Sequence, residues 1–251
     1  MKSLIALIAA LTIGGVGGWS LNSNQPANQV QKSEDTQSQV EVNSMPVAED
    51  FLSLRPALEA LPAESLSDPE TTGLLYMREE EKLARDVYLT LYDTWGLQIF
   101  SNIAQSEQTH TESVRNVLEK YNITDPVIDD TVGVFVNDEL QQLYTDLTVQ
   151  GNTSIENALT VGAIIEDLDI YDLQQEISKT DNQDITLLYE NLIRGSRNHM
   201  RAFISQLTSR GDNYTPQYIT QAEFDDIIGT DQERGGGNSG GNGNRGGGRG
   251  N

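Results

Sequence analysis

Between about residue 71 and residue 211 the apolar residues recur at alternating steps of three and four, which places them along one stripe of an α-helix again and again. The spacing predicts long helices over 72–94, 98–121 and 154–179, and a fourth that starts at Asp181 or Asp184 and reaches Arg210. Gly96 and Gly211 are stop signals, Pro126 closes the region after the second helix, and Ser154 has the chemistry of a helix cap. A short helix over 137–148 is expected in the long connection between the second and third helices, and Thr220 is placed to cap another over 222–228. The fold class is all-α, with four long helices around one core.

Each of the four stripes turns polar near its middle. The first reads Leu74, Met77, Glu81, Ala84, Tyr88, Leu91 and Trp95; Glu79, Glu80 and Lys82 fall off it and are expected to be solvated. The second runs through Ile103, Glu107, His110, Val114 and Val117, and the third through Leu159, Gly162, Glu166, Asp169 and Leu173. The fourth, Leu188, Leu192, Ser196, His199, Phe203 and Leu207, carries the second of the chain's two histidines.

A carboxylate buried without a partner costs several kcal/mol or becomes neutral, so four acids converging on one interior need positive charge. No lysine or arginine lies on any of the four stripes. A divalent or trivalent metal is then the expected compensation, and a carboxylate and imidazole ligand set suits iron, manganese or zinc. Glu107 and His110 sit three residues apart, so one helix can present both to the same ion. Each residue alone has a plainer reading. A single inward Glu can be a misjudged helix phase, Tyr88 a core residue with a buried hydroxyl, Asp169 a cap at a local break near Asp167, and His199 a hydrogen-bonded core histidine.

The chain has no cysteine, which removes disulfides, thiolate nucleophiles, iron–sulfur clusters and cysteine-type zinc sites. Its formal net charge of −22 repels nucleic acid and anionic lipid and attracts cations. Residues 1–20 read as a signal peptide or an N-terminal anchor: Met1-Lys2 precedes an apolar run over 4–16, short of the roughly 20 residues a membrane span needs. Export is therefore expected, with any membrane contact confined to that segment. Residues 21–50 are expected to be a disordered spacer, and 51–70, with Pro56, Pro62 and Pro69, a pre-domain segment supporting only a short helix. The domain is expected over 71–230, and 231–251 is a Gly/Asn/Arg-rich disordered tail. Its three arginines resemble RNA-binding RGG segments, but on so acidic a chain no nucleic-acid partner is expected.

The run 76–88, the segment 106–110 and the segment 195–199 together resemble a bacterial and archaeal family of ferritin-like proteins catalogued as a domain of unknown function, over about 74–228. In the ferritin and rubrerythrin superfamily the first helix gives a Glu with a Tyr seven residues later, the second a Glu-x-x-His, the third a Glu and the fourth another Glu-x-x-His. Glu81 with Tyr88, Glu107 with His110, and Glu166 match; Ser196 stands where the second bridging Glu would be, leaving His199. The resemblance implies a ferritin-like four-helix bundle with a long crossover between helices 2 and 3. It also implies a di-iron site, with Glu81, Glu107, His110, Glu166, Asp169 and His199 as metal ligands and Tyr88 in a catalytic role. The expected split puts Glu107 between two metals, Glu81 and His110 on one, and Glu166, Asp169 and His199 on the other. Chemistry on ferrous iron, oxygen or peroxide follows, with an external electron donor because no cysteine exists to hold an internal one. The alternative is a structural or interaction module with a stapling metal.

Overall fold

Ser67 opens the longest helix: its hydroxyl accepts from the Glu70 amide while the Glu70 carboxylate takes the Ser67 amide at 2.8 Å, a reciprocal capping box. Pro69 is tolerated in that first turn, where no intrahelical donor is required, so the helix begins earlier than the apolar stripe does. In the computed structural model, residues 47–234 are described, with side chains from Leu54 onward. The leader or anchor expected over 1–20, most of the spacer and most of the tail lie outside the described residues.

Among the described residues every regular element is helical: α1 (Val47–Ala60), α2 (Asp68–Trp95), α3 (Gln98–Lys120), α4 (Asp138–Gly151), α5 (Ile155–Ile177), α6 (Gln183–Ser209) and α7 (Gln221–Gly229). None of them is long and apolar enough to cross a membrane. α2 packs along α3, and α5 along α6; the pairs meet where α2 touches α5 and α3 touches α6. α4, in the connection from α3 to α5, lies against α2 and α5. The core between the four long helices is closed at one level by the rings of Tyr88, Phe100 and Phe203, with centroids 5.3 to 6.4 Å apart. Gly162 on α5 makes room there, since a Cβ at that position would collide with the Phe203 ring.

Three expectations are corrected. The segment before the domain holds more than a short helix: α1 runs 14 residues through Pro56, and burial of Leu54 and Leu58 against α3 and α6 outweighs the lost hydrogen bond. Neither Asp181 nor Asp184 caps α6. Asn182 holds the cap position in an extended conformation, and Asp184 instead receives Lys120 Nζ at 2.5 Å and the Tyr121 hydroxyl at 2.9 Å. The alternative reading of Asp169 as a cap falls as well: no break interrupts α5 at Asp167, whose carboxylate accepts from the Tyr214 hydroxyl and the Gln217 and Ile219 amides.

The third correction concerns the outer face of α2. Glu79, Glu80 and Lys82 are buried rather than solvated: the connection from α3 to α4 covers Glu79 and Lys82, and Glu80 is turned toward α5. Lys82 Nζ donates to Asp86 Oδ2 at 2.5 Å and to the carbonyls of Thr131 and Val134, and lies 4.4 Å from the Phe135 ring centroid. Glu79 accepts the amides of Val136 and Asn137, and Arg78 and Arg85 pair with Asp125 and Asp130. These charges are compensated on the outer side of α2, which leaves the acids on its inner side without a basic side chain. Lys82→Met keeps the volume and strips Asp86 of its ammonium partner, so it should lower unfolding stability by about 3 kcal/mol or more in urea titrations.

Candidate metal centre

Glu107 and His110 are presented by α3, Glu81 and Tyr88 by α2, Glu166 and Asp169 by α5, and Ser196 and His199 by α6. Every one of these side chains is buried, as the four stripes require. The i,i+3 spacing on α3 brings His110 Nδ1 to 2.7 Å from Glu107 Oε2, and the α2 neighbour Glu81 places Oε2 3.2 Å from the same nitrogen. From α6, His199 Nδ1 lies 2.7 Å from Glu107 Oε1 and 3.5 Å from Glu166 Oε2. The two imidazoles stack with centroids 5.5 Å apart. One carboxylate therefore stands between two histidines, one oxygen toward each.

Two groups result, Glu81–Glu107–His110 and Glu107–Glu166–His199, and within each the candidate donor atoms lie within 4.8 Å of one another. Asp169 belongs to neither. Its carboxylate accepts the Ser196 hydroxyl, and that hydroxyl also lies 2.9 Å from the Leu192 carbonyl. Ser196 thus occupies itself with orienting Asp169. The Tyr88 hydroxyl donates to Glu166 Oε1 and so fixes the outer oxygen of that carboxylate.

The residues fit a cation. His199 Nδ1 is close to Glu107 but lacks hydrogen-bond alignment with any acceptor, and Glu81 Oε1 has no hydrogen-bond partner although Glu81 is buried. Buried polar atoms in folded proteins are almost always hydrogen-bonded. Here they belong to residues whose donor atoms cluster within 4.8 Å of one another, which is what ligation needs. The Ser106 hydroxyl, 2.9 Å from His199 Nε2, holds that ring so that Nδ1 faces the carboxylates. A Cβ at Gly195 would stand 2.5 Å from His110 Cε1, so the absence of a side chain there lets α6 close over the imidazole. Ser106 and Gly195 fall inside the segments that carry the resemblance, but the sequence assigned neither a role. Ser106 directly precedes Glu107, and only the side-by-side placement of α3 and α6 gives either residue its role.

Charge in this interior is balanced by the histidines. Burial opposes ionisation of Glu107, yet the charges of His110 and His199 prevail and hold it below the usual carboxylate range. Burial pushes Glu81 up, against the pull of His110, to about 7. Burial raises Glu166, and burial together with the facing Glu81 raises Asp169 well above its ordinary value. Burial also raises the Tyr88 phenol, and the adjoining Glu166 carboxylate raises it further. Burial acts to lower both imidazoles, but Glu107 with Glu81 keeps His110 well above 6.5, and Glu107 with Glu166 lifts His199 to about 9.

Glu81 and His199 bind protons more tightly folded than unfolded, so the stability they contribute is complete at low pH and is lost as pH rises. The windows are 4.5 to about 7 for Glu81 and 6.5 to about 9 for His199. Metal-free protein should consequently melt lower at about pH 9 than at about pH 6, by about 3 °C or more in calorimetry. A melting temperature that holds steady or rises over that interval contradicts this charge balance.

Residues 70–231 match the family described as "Uncharacterized protein domain (DUF2202)". The chain is 58% identical over 178 residues to the uncharacterized protein MJ0754 of Methanocaldococcus jannaschii, covering 71% of this chain and 96% of that protein. It is also similar to the crystal structure of the hypothetical protein MJ0754 from Methanococcus jannaschii DSM 2661, with a TM-score of 0.69 at 58% identity over 69% of this chain and 99% of that one.

Proposed function

The chain belongs to the DUF2202 family, and we propose that it is a metal-binding oxidoreductase of ferritin-like type, acting on ferrous iron, oxygen or peroxide at a two-metal carboxylate centre. The observation that carries the reading is Glu107, whose two oxygens face two different histidines inside a water-excluding core. On this reading the four long helices are a ferritin-like four-helix bundle, and the 121–154 connection with α4 is its crossover. Glu81, Glu107 and His110 hold one ion; Glu107, Glu166 and His199 hold the other. Iron is the proposed metal, and manganese and zinc fit the same donors.

When bound, a pair of reduced irons supplies the electrons that reduce oxygen or peroxide. The protein's own residues do the rest. Glu107, kept ionised by its two histidines, holds a fixed negative charge between the two ligand groups. Tyr88 keeps its proton, orients Glu166 and, with Phe100 and Phe203, shuts water out on that side. The Ser106 hydroxyl sets His199, and the Ser196 hydroxyl holds one oxygen of Asp169 while the other, Oδ1, has no hydrogen-bond partner. That free oxygen makes Asp169 a carboxylate in reserve beside Glu81 and Glu166. The chain has no cysteine with which to bind an internal electron carrier, so ferrous iron itself or an external donor supplies electrons. The proposal includes export, resting on Met1-Lys2 and the apolar run over 4–16, which lie outside the described residues.

A second reading has one observation in its favour: Ser196 stands where a second bridging Glu would complete a symmetric centre, so the ion could be a structural staple. Aerobic addition of ferrous iron to metal-free protein separates the two. Rapid growth of the near-ultraviolet absorbance of ferric iron is expected, whereas stoichiometric binding without colour overturns the oxidoreductase reading and favours the staple. Tyr88→Phe should bind the same amount of iron by elemental analysis and oxidise it about tenfold more slowly, the loss typical of removing a group that orients a ligand. His110→Ala/His199→Ala should abolish stoichiometric binding; retention of wild-type metal content would reject the ligand assignment.

A further inference from the structure

A line of carboxylates leads from the core toward the surface along the contact between α2 and α5. Glu166, Asp169, Asp172 and Glu176 follow one another at steps of three and four on α5, so they share the face turned to α2. Glu80, one residue from Glu81 on α2, faces Asp172 and Asp169. At the outer end Glu176 lies against Gly73 of α2, where a Cβ would collide with its carboxylate, and exposed Lys179 reaches it at 2.5 Å. Asp172 is half-buried, whereas Glu80 and Asp169 behind it are 3% and 6% exposed.

Glu80 has no structural explanation of its own. Neither of its oxygens has a hydrogen-bond partner, and Asp172 Oδ2 and Asp169 Oδ1 have none either. The other buried charges of α2 behave differently: Glu79, Lys82, Arg85 and Asp86 are all hydrogen-bonded into the 121–137 segment. Glu80 and Asp172 meet as two acids with no other donor between them, close enough to share a proton, so the pair is held by that proton or by a cation in its place. A buried carboxylate aimed at two others is a costly arrangement unless something positive is shared there.

We propose that Glu80 and Asp172, with Asp169 behind them, form a divalent-cation holding site through which the ion passes from the surface to the core. The inference rests on the metal-centre reading above, because it needs a centre to deliver to. Ligand exchange can proceed in short steps: Asp172 is the acid that solvent reaches, Glu80 is its buried partner, and Asp169 faces both Glu80 and Glu81. The Ser196 hydroxyl occupies one oxygen of Asp169 and leaves Oδ1 for a passing ion. The net charge of −22 favours arrival of cations at such an opening. Oxygen donors without imidazole hold a divalent ion less tightly than the core groups that include a histidine, which sets the direction of transfer.

The test is the rate at which cobalt(II) loads the full-length, metal-free protein, followed by its visible absorption in stopped flow, with bound metal counted at the end point. Glu80→Gln and Asp172→Asn should each reach the wild-type end point but load about tenfold more slowly, within the range by which charged funnels accelerate capture of ions. Asp172→Asn alters a partly exposed residue and carries the test if Glu80→Gln does not fold. Loading at the wild-type rate in the folded variants overturns the holding site and leaves the core reading standing. If the wild-type protein takes up no cobalt at all, the core reading fails and the delivery route falls with it.

Discussion

One carboxylate between two buried imidazoles organises this protein. Glu107 faces His110 with one oxygen and His199 with the other, and every neighbouring group is arranged around that contact. An isolated acid at such depth would take up a proton, and two facing histidines keep it ionised instead. Four helices have to meet at one level for this to happen: α3 supplies Glu107 and His110, α6 His199, α2 Glu81, and α5 Glu166. Gly195 and Gly162 leave room where a Cβ would collide, one with His110 and the other with Phe203.

α2 shows how the same helix serves two different interiors. Its inner face carries Glu81 and Tyr88 toward the histidines, while its outer face buries Arg78, Glu79, Lys82, Arg85 and Asp86 under the 121–137 segment. The outer set is neutralised by its own pairs and by backbone groups, so it is structural. The inner set contains acids and imidazoles but no lysine or arginine, and several of its atoms lack hydrogen-bond partners. That contrast within one helix separates a site from a scaffold better than burial alone, since both faces are buried.

The inner face was legible in the sequence because helix phase is a local property. Glu81, Glu107, Glu166 and His199 fall on apolar stripes, and a step of three or four residues fixes which side they take. The outer face was not legible. Whether Glu79 and Lys82 meet water depends on a connecting segment with no periodicity of its own, whose backbone amides and carbonyls supply their partners, and Glu80 is covered by α5 instead. Asp169 shows the same limit. Its phase puts it inside, but only the neighbouring helix reveals that its carboxylate is engaged by Ser196 and lies outside both donor groups. The start of α2 was displaced for a related reason: Pro69 looks like a breaker until the Ser67 and Glu70 capping box places it in the first turn.

The central claim is that the core binds a pair of metal ions that share Glu107. Diffraction from crystals of the full-length protein loaded anaerobically with ferrous iron, recorded on either side of the iron absorption edge, tests it most directly. The account predicts two anomalous peaks, one among Glu81, Glu107 and His110 and the other among Glu107, Glu166 and His199. Peaks confined to other parts of the molecule, or well-ordered donor side chains with no anomalous signal between them, would contradict it.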